Sequence, residues 1–582
     1  MIIIYGVPLG TPAFFTYLYN EIIINLIGVM CMLNSVGAIL LDTRSIQKYV
    51  FSCNRLKTNI GASYLVDSIF SDLMVNKILP SFNLKMPEFS WNEVKNIQML
   101  EDDSIECEVA YIGGGNMIIL VRKQDTDTIE LCKQIVGSWT KEILIKAPGL
   151  KTGAAIGELN IDNEHFQKSL GLLYKQLKDN QNIILPQVDV PYVGFTLECD
   201  YSGKTAEYLK GRVKNNIIYE FDNRMVSAEI VAKSSAYNVV AENLKEEYKD
   251  ILKNKYDFVS KFDNLGYKDG ESYVSIIHID GNNMGIKFAS CTNMQERKTL
   301  SLRTAEIVKK GFRELLKSVI DDIEENRYSK SLDINKIKNK YLPIRPIIIG
   351  GDDVTFVCAG RLGMEYAKRF IQIVSKEYLL DEVQYMNAQN YIKKIFNNTS
   401  MRINSNMSCC GGVAIVPAKY PFYRAYELAE QLCSSAKKKS RQNDESFVDF
   451  AILHGDMSPT LEQLCIQQYE APEGYLHYGP YCVTQEQKDK SNISDLFSLI
   501  EKIKSVPNNK IKDLRNVLNE DNHSIVRFLE NCPEVENILK SELQKENVVA
   551  NDFWQYMTNE KMLKTRYVDA IELIDFSLNS RL

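Results

Sequence analysis

The residues best suited to chemistry are the carboxylates of Gly350-Gly351-Asp352-Asp353, which lie between two apolar, β-branched runs in PIRPIIIGGDDVTFVCAG. Such runs predict strands, and the glycine pair predicts the tight turn that joins them. Adjacent carboxylates repel each other, and a divalent cation removes that cost. Mg²⁺ keeps coordination positions open for phosphate oxygens, and glycines let a triphosphate approach the backbone. The tetrapeptide alone fits two-metal nucleotidyl transfer and an ordinary surface turn equally well.

A third carboxylate, Asp280, favours the catalytic interpretation. It ends a predicted buried strand in SYVSIIHIDGNNMG and is followed by a turn, Gly281-Asn282-Asn283. A palm-type polymerase or nucleotide cyclase needs this pairing, with one Asp at the end of a first strand and a carboxylate pair on a later hairpin. The segment from Glu306 to Asp322 has a helical pattern and fills part of the interval between them.

After the hairpin, CCGGVAIVPAKYPFYRAYELAEQLCSSAKKKSR predicts a strand, a turn and an amphipathic helix. The helix ends in a cationic cluster formed by Lys437, Lys438, Lys439 and Arg441. Cations at a helix C-terminus complement the helix dipole. In a palm domain they would also suit a triphosphate, and we take Lys437 and Lys438 as candidates for that contact.

This arrangement resembles the GGDEF and nucleotide-cyclase palm. More closely, it resembles the second palm domain of the large subunit of type III CRISPR effector complexes. The resemblance covers roughly residues 266–450 and rests on IDGN, GGDD and the GGVAI…AE…AKK stretch. A further segment, AILLDTRSIQKYVFSCNRLKTNIGASYLV at 38–66, resembles the opening of the first palm in the same subunit.

An internal repeat supports two palm domains without reference to any family. Gly113 lies 71 positions after Asp42, and Gly350 lies 70 positions after Asp280. Both aspartates end apolar strands, and YIGGGNMIILV aligns with IIIGGDDVTFV, so that Gly115 and Asn116 replace the carboxylate pair. The first copy therefore keeps one acidic position and is predicted to hold a nucleotide without assembling two metals. Its candidate nucleotide-binding residues are Asp42, Gly113, Gly114 and Asn116.

We expect two Mg²⁺ (or Mn²⁺) ions to be bound by Asp280, Asp352 and Asp353, with the backbone of Ile279 as a further ligand. One ion would activate a nucleotide 3′-hydroxyl, and the other would neutralise the triphosphate. Nucleotide contacts are predicted for a wider set: Gly281, Asn282, Asn283, Gly350, Gly351, Lys437 and Lys438. His278 shares a strand face with Asp280. A ligand role is conceivable for it, but we expect a packed or hydrogen-bonded strand histidine.

The resemblance implies that ATP is the substrate and that a cyclic oligoadenylate is made when target RNA is bound. It also implies other type III effector subunits and CRISPR RNA as partners. The family's large subunit often carries an HD nuclease domain, but none of the 5 histidines here precedes an aspartate, so DNase activity is not predicted. Two alternatives stay open: a free-standing diguanylate or mononucleotide cyclase, and a non-catalytic scaffold.

Composition fits a large cytoplasmic multidomain protein. The 582 residues suggest several domains, and 45% hydrophobic with 25% charged residues is ordinary for globular chains. A net charge of −6 excludes a global nucleic-acid-binding signature, so RNA contacts must be local or made by partners. The 13 scattered cysteines without a CxxC pair predict reduced thiols.

The predicted organisation is α+β, with two ferredoxin-like palm domains. Palm one is assigned to 36–180, a polar helical linker to 181–265, palm two to 266–455 and a C-terminal helical bundle to 456–582. Residues 1–35 form a leader of uncertain status. For residues 1–31 a mis-assigned start before Met30 or Met32, an extra packed element and a membrane anchor all remain open, although no membrane association is expected.

Overall fold

The computed structural model describes residues 35–577 with several gaps. The gaps are 54, 89–90, 94, 123–126, 162–164, 184–192, 208–223, 263–264, 266–272, 329–331, 333–340, 397–400, 442, 456–459, 485–491, 544–548 and 558–561. The leader assigned to 1–35 therefore lies outside the described residues except for Ser35, and parts of the predicted linker also lie outside them. No helix among the described residues is long and apolar enough to cross a membrane.

Palm one is built around a sheet in which β2, β3, β1 and β4 are neighbours in that order, and each adjacent pair is antiparallel. Its strands are β1 (Ser35–Arg44), β2 (Cys107–Gly113), β3 (Asn116–Val121) and β4 (Lys151–Asn160). Its helices are α1 (Ile46–Val50), α2 (Leu56–Ser68, continued by a π-helix over Ile69–Ile78 and a turn at Leu79–Ser81), α3 (Thr128–Lys146) and α4 (Phe166–Ile183), with a 3₁₀ turn at Gln98–Leu100. This order is that of a ferredoxin-like palm.

Both faces of the palm-one sheet are covered, and the period of two in β1 explains how. Ile39 and Leu41 belong to the main apolar core, whereas Ala38 and Leu40 belong to a second core that also contains Phe166 of α4. Alternate side chains of a strand point to opposite faces. The uninterrupted apolar run in AILLD therefore serves two cores at once.

After palm one, the chain forms α5 (Ala228–Glu247) and α6 (Lys249–Leu252). Within the predicted polar helical linker, these two helices end at Leu252. Lys253 and Asn254 take left-handed backbone angles, with φ of 49° and 55°, which end the helix. Against α2, α5 packs closely enough that a Cβ atom on Gly61 would lie 1.8 Å from the Lys233 carbonyl oxygen.

Palm two repeats the arrangement of palm one in a sheet ordered β12-β9-β8-β5-β7-β6. Its first elements are β5 (Tyr273–Gly281), α7 (Met284–Ala289), α8 (Met294–Glu324), β6 (Ile344–Gly350) and β7 (Asp353–Ala359), with a 3₁₀ turn at Gly360–Leu362. The later elements are α9 (Gly363–Val374), α10 (Glu382–Phe396), β8 (Cys409–Pro417), α11 (Phe422–Ser440) and β9 (Phe447–Ile452). The predicted strand, hairpin, strand and amphipathic helix are all present.

The two hairpins share one irregularity as well as their length. The register shifts between Val109 and Tyr111 in palm one, and between Pro346 and Ile348 in palm two. Each shift begins four positions before the first glycine of its turn. Because a bulge changes strand twist locally, its recurrence at the same position supports a true repeat.

The remainder of the chain is mixed. Its helices are α12 (Leu461–Leu464, continued by a π-helix over Cys465–Tyr469), α13 (Ile493–Ile503), α14 (Asn508–Leu518), α15 (Asn522–Asn531), α16 (Pro533–Leu543) and α17 (Tyr567–Leu573), with 3₁₀ turns at Ala550–Phe553 and Ile574–Phe576. Its strands are β10 (Glu470–Ala471), β11 (Gly474–Tyr475), β12 (Tyr481–Cys482), β13 (Gln555–Met557) and β14 (Met562–Lys564). The helical prediction for 456–582 therefore omitted a small sheet and the strand β12, which extends the palm-two sheet.

A buried histidine joins this C-terminal region to palm two. His477 lies 2.7 Å from Asp569 of α17 through Nδ1 and 2.8 Å from Asp449 of β9 through Nε2. Burial opposes the charged imidazole, but the two carboxylates outweigh it and raise the pKa of His477 well above its usual range. The resulting bridge is a charged link between the two parts of the chain.

Candidate active site

The three predicted catalytic carboxylates come together at one end of the palm-two sheet. Asp280 lies at the end of β5, Asp353 begins β7, and Asp352 lies in the turn between β6 and β7. Since Ile279 pairs with Val354, Asp280 and Asp353 are the next positions along the same ladder. A Cβ atom on Gly281 would lie 2.9 Å from Cβ of Asp352, so glycine at this position gives Asp352 room against the strand.

The site carries more negative charge than the protein compensates. Burial, together with repulsion from Asp280 and Asp353, raises the pKa of Asp352 to about 7. Lys437 of α11 forms an ion pair with Asp280 and opposes that rise. Lys437, which was predicted to contact a triphosphate, contacts the carboxylate cluster in this structure.

The chemistry of these side chains fits magnesium. Mg²⁺ prefers oxygen ligands, usually one or two carboxylates together with water and phosphate oxygens. Burial and repulsion among the carboxylates raise the pKa of Asp352, and a bound cation would relieve that repulsion. The described residues contain no group of three or more His, Cys, Asp or Glu side chains already converged as a metal cage. Asp280, Asp352 and Asp353 are the residues that would hold metal.

The predicted nucleotide ligands Asn282 and Asn283 use their side chains inside the protein. Asn282 donates to the Glu445 carbonyl at 3.0 Å, and Asn283 donates to Oδ1 of Asp444 at 2.8 Å. Buried Lys287 donates to the Asn282 carbonyl at 3.0 Å and pairs with Asp444 at 3.2 Å. These contacts fix the turn after Asp280, so the two asparagines shape the site from behind.

The glycines and the strand residue of the predicted site have distinct positions. Gly351 has a φ of 58°, which permits the tight turn, while the Cβ position of Gly350 faces open space. Ile279 is a buried member of β5 immediately before Asp280. An approach by phosphate to this turn would thus meet little steric hindrance at Gly350.

His278 lies beneath the carboxylates. Its Nδ1 atom is 3.3 Å from Oδ1 of Asp353 and 3.2 Å from Oγ1 of Thr355. Burial disfavours the charged ring, but the Asp353 carboxylate outweighs it and raises the pKa of His278. A packed or hydrogen-bonded strand histidine was expected here, but the contact between His278 and the candidate catalytic residue Asp353 was not predicted.

The tip of the palm-one hairpin faces the palm-two hairpin. A Cβ atom on Gly351 would lie 3.3 Å from the Gly114 nitrogen, and one on Gly113 would lie 2.7 Å from Oγ of Ser301. In palm one, Asp42 accepts a hydrogen bond from Gln181 at 2.8 Å, and burial raises the pKa of Asp42. Asn116, at the position equivalent to Asp353, accepts from the Tyr111 hydroxyl.

A cavity of about 420 Å³ lies between the two palms. Arg297 of α8 donates to Tyr111 at 3.3 Å and to Tyr174 at 2.5 Å, and its guanidinium lies 5.3 Å and 5.5 Å from their ring centres. The cavity is also lined by five predicted site residues: Gly113, Gly114, Asn116, Gly351 and Asp352. Arg297 and the two tyrosines were not predicted, since no sequence pattern links residues of different domains.

Comparison with known proteins identifies one domain. Residues 273–446 match the family model described as Cas10/Cmr2, second palm domain. This segment is similar to the second palm domain of Cas10/Cmr2 proteins. No curated protein matches the chain.

Several solved structures are similar to the chain at low identity. Csm1 from T. onnurineus is 13% identical, with a TM-score of 0.44, over 94% of this chain and 70% of that one. The Csm1–Csm4 cassette in complex with pppApA is 15% identical, with a TM-score of 0.41, over 94% and 70%. The cassette in complex with AMPPNP is 12% identical, with a TM-score of 0.37, over 81% of this chain and 63% of that one. This chain therefore spans less than two thirds of the length of some of these structures.

One predicted nucleotide-binding residue of palm two lies apart from the carboxylates. Lys438 lines a second cavity, of about 700 Å³, together with Asp449, His477 and Lys564. Lys437 and Lys438 are neighbours on α11 and therefore point in different directions. Of the two lysines, the one that contacts the carboxylate cluster is Lys437.

Proposed function

We propose that this chain is a nucleotidyltransferase subunit of a type III CRISPR effector that converts ATP to cyclic oligoadenylates when target RNA is bound. The observation that carries the proposal is the convergence of Asp280, Asp352 and Asp353 at a turn with few steric obstacles. The raised pKa of Asp352 supports it, since clustered and perturbed carboxylates mark functional sites. The family match of the second palm supports the class of enzyme.

Each group has a defined task in this proposal. The three carboxylates would hold two Mg²⁺ or Mn²⁺ ions, which supply an activated 3′-hydroxyl and neutralise triphosphate charge. Lys437 lies close enough to the cluster to contact phosphate oxygens. Gly350 and Gly351 leave the turn accessible, and the network behind Asn282 and Asn283 holds Asp280 in place.

Palm one would bind the second nucleotide of each condensation. The cavity between the palms offers a guanidinium and two aromatic rings, which suit a phosphorylated nucleotide. Nε of Arg297 is buried and has no hydrogen bond within the described residues. With Asn116 opposite Asp42 in place of a carboxylate, palm one would position a nucleotide without catalysing transfer.

Partner subunits and CRISPR RNA belong to the same proposal. Among the neighbours, the described assemblies are Csm1–Csm4 cassettes, including complexes with cA3 and cA4. By analogy, this chain would work beside a Csm4-like subunit. The analogy rests on the subunits present in the similar structures, and it predicts that this chain co-purifies with a Csm4-like subunit.

The test is product analysis with radiolabelled ATP, Mg²⁺, partner subunits and activating RNA. Wild type should release pyrophosphate and form cyclic adenylates, whereas the Asp352→Ala/Asp353→Ala double variant should form none and remain folded. Asn116→Ala should lose far less activity than Asp353→Ala. Turnover in the double variant would refute the assignment of the site.

Two other functions are separated by the same experiment. A product made from GTP without RNA would favour a free-standing diguanylate or mononucleotide cyclase. Normal assembly with no turnover of any nucleotide would favour a scaffold.

A further inference from the structure

His278 and Thr355 form a polar pair in the interior of palm two. They are 4% and 0% exposed, and they lie opposite each other on β5 and β7. Burial of polar side chains costs free energy unless they find partners. His278 and Thr355 contact each other at 3.2 Å, and His278 contacts Asp353 at 3.3 Å. These contacts offset the cost of burying the two side chains.

Palm one shows that the fold does not require this pair. In the equivalent register, Leu40 lies opposite Ile118, and both residues are fully buried in an apolar core. Where palm two has Asp353, palm one has Asn116. The polar pair therefore occurs in the copy that keeps the carboxylate and is replaced by apolar residues in the copy that lost it.

The surroundings fix the histidine ring. The ring of Tyr426 on α11 lies 5.4 Å from the imidazole in an edge-on arrangement. On the other side of β5, His278 pairs with Gly412, where a Cβ atom would lie 2.0 Å from the Ala429 carbonyl of α11. The helix is thus seated directly against the sheet at this point and encloses the ring.

The contact between His278 and Asp353 allows a hydrogen bond in one direction only. A carboxylate only accepts hydrogen bonds, so a hydrogen bond across the 3.3 Å contact would have to be donated by Nδ1 of His278 to Oδ1 of Asp353. Oδ1 of Asp353 is buried, while 30% of the whole side chain stays exposed. Contact at Oδ1 leaves the more open part of the carboxylate for other ligands.

We propose that His278 is a positioning residue that holds Oδ1 of Asp353 and so orients the other carboxylate oxygen for metal binding. This inference rests on the proposed function, because it assigns Asp353 to metal. Residues behind metal ligands commonly change metal affinity by about 10–100-fold when they are replaced. The pair in palm two would act in that way, with Thr355 supporting the ring.

The test measures Mn²⁺ binding by electron paramagnetic resonance in the presence of α,β-methylene-ATP, so that no turnover is needed. His278→Leu should weaken Mn²⁺ binding by about 10-fold or more. His278→Asn keeps a donor near the Nδ1 position and should retain most of the affinity, whereas His278→Gln places its donor near Nε2 and should not. In assays of turnover, the same order should appear in kcat, with KM for ATP nearly unchanged.

Two further variants keep the test decisive. The His278→Leu/Thr355→Ile pair copies the packing of palm one and should fold even if the single variant does not. Ser275→Ala changes a buried polar residue of β5 that bonds the Gly360 carbonyl instead, and it should leave Mn²⁺ binding unchanged.

The outcomes also separate this inference from the function on which it rests. If Asp353→Ala abolishes Mn²⁺ binding but His278→Leu matches wild type, His278 has no positioning role and the proposed function survives. Equal losses in His278→Asn and His278→Leu would likewise overturn the inference. Absence of Mn²⁺ binding in wild type, or binding unaffected by Asp353→Ala, would overturn both.

Discussion

Replacing Asp352 with asparagine should stabilise the protein while abolishing its proposed activity. Asparagine has nearly the same shape but no charge, so it removes the repulsion from Asp280 and Asp353 without leaving a cavity. In the unfolded chain the pKa of Asp352 has its ordinary value of 3.8, whereas in the folded chain this pKa is about 7. Because the folded state holds the proton more tightly, ionisation costs stability progressively between these two values.

The size of the effect follows from that interval. A displacement of about 3 pKa units corresponds to about 4 kcal/mol above pH 7 as an upper limit. The side chain keeps part of its surface exposed, and solvent screening reduces the expected gain to about 1–2 kcal/mol at pH 8. At pH 5 only the first part of the interval has been crossed, so the gain should be less than half as large.

Urea denaturation at pH 5 and pH 8, without divalent cations, measures both values. Mg²⁺ should then stabilise wild type more than the variant, because the variant has lost one ligand. Asp200→Asn, at an exposed position, is the matched control and should change stability by less than about 0.5 kcal/mol at either pH. A variant less stable than wild type at pH 8, or a gain independent of pH, would refute the picture of an uncompensated carboxylate cluster.

Three further outcomes are expected. Gly61→Ala should destabilise the chain by about 1–3 kcal/mol in thermal or urea unfolding, because its Cβ would meet backbone, whereas Gly137→Ala in the open middle of α3 should be neutral or stabilising. His477→Gln should cost about 3–5 kcal/mol below pH 6.5 by leaving two buried carboxylates without a counter-charge. Because the folded pKa of His477 is raised, that advantage of wild type should decline as pH rises above 6.5, and a pH-independent difference would contradict the charged bridge. Lys437 lowers the pKa of Asp352, so in Lys437→Met the increase in activity with rising pH should occur at a higher pH than in wild type. An unchanged pH profile would show that the charge of Lys437, which pairs with Asp280, does not act on Asp352.

The sequence was sufficient for the parts of the fold that depend on local pattern. The apolar runs before Asp280 and around the glycine pair became β5, β6 and β7, and the amphipathic segment became α11. The nearly equal spacings in the two halves predicted two palm domains, and the paired register shifts support the repeat. Binary patterning and turn residues carry this information because neighbouring positions decide it.

Features that depend on distant partners were not predictable. Asn283 is predicted as a nucleotide ligand, and its hydrogen bond to Asp444, 161 positions away, could not be predicted from the sequence. Arg297 meets Tyr111 across 186 positions and two domains. The C-terminal strands are only two or three residues long, too short for a period of two to be visible, and their pairing forms them.

The two palms show how one fold separates catalysis from positioning. Palm one fills the space beneath its hairpin with Leu40 and Ile118, and its sheet is intact. Palm two places His278 and Thr355 there, keeps a charged cluster above them and holds Asp352 at a raised pKa. Repulsion within the carboxylate cluster costs stability, and the intact palm-one sheet shows that the architecture does not require these residues. When one copy of a repeat keeps residues that reduce stability and the other copy replaces them with apolar residues, a functional reason is needed to explain the first copy.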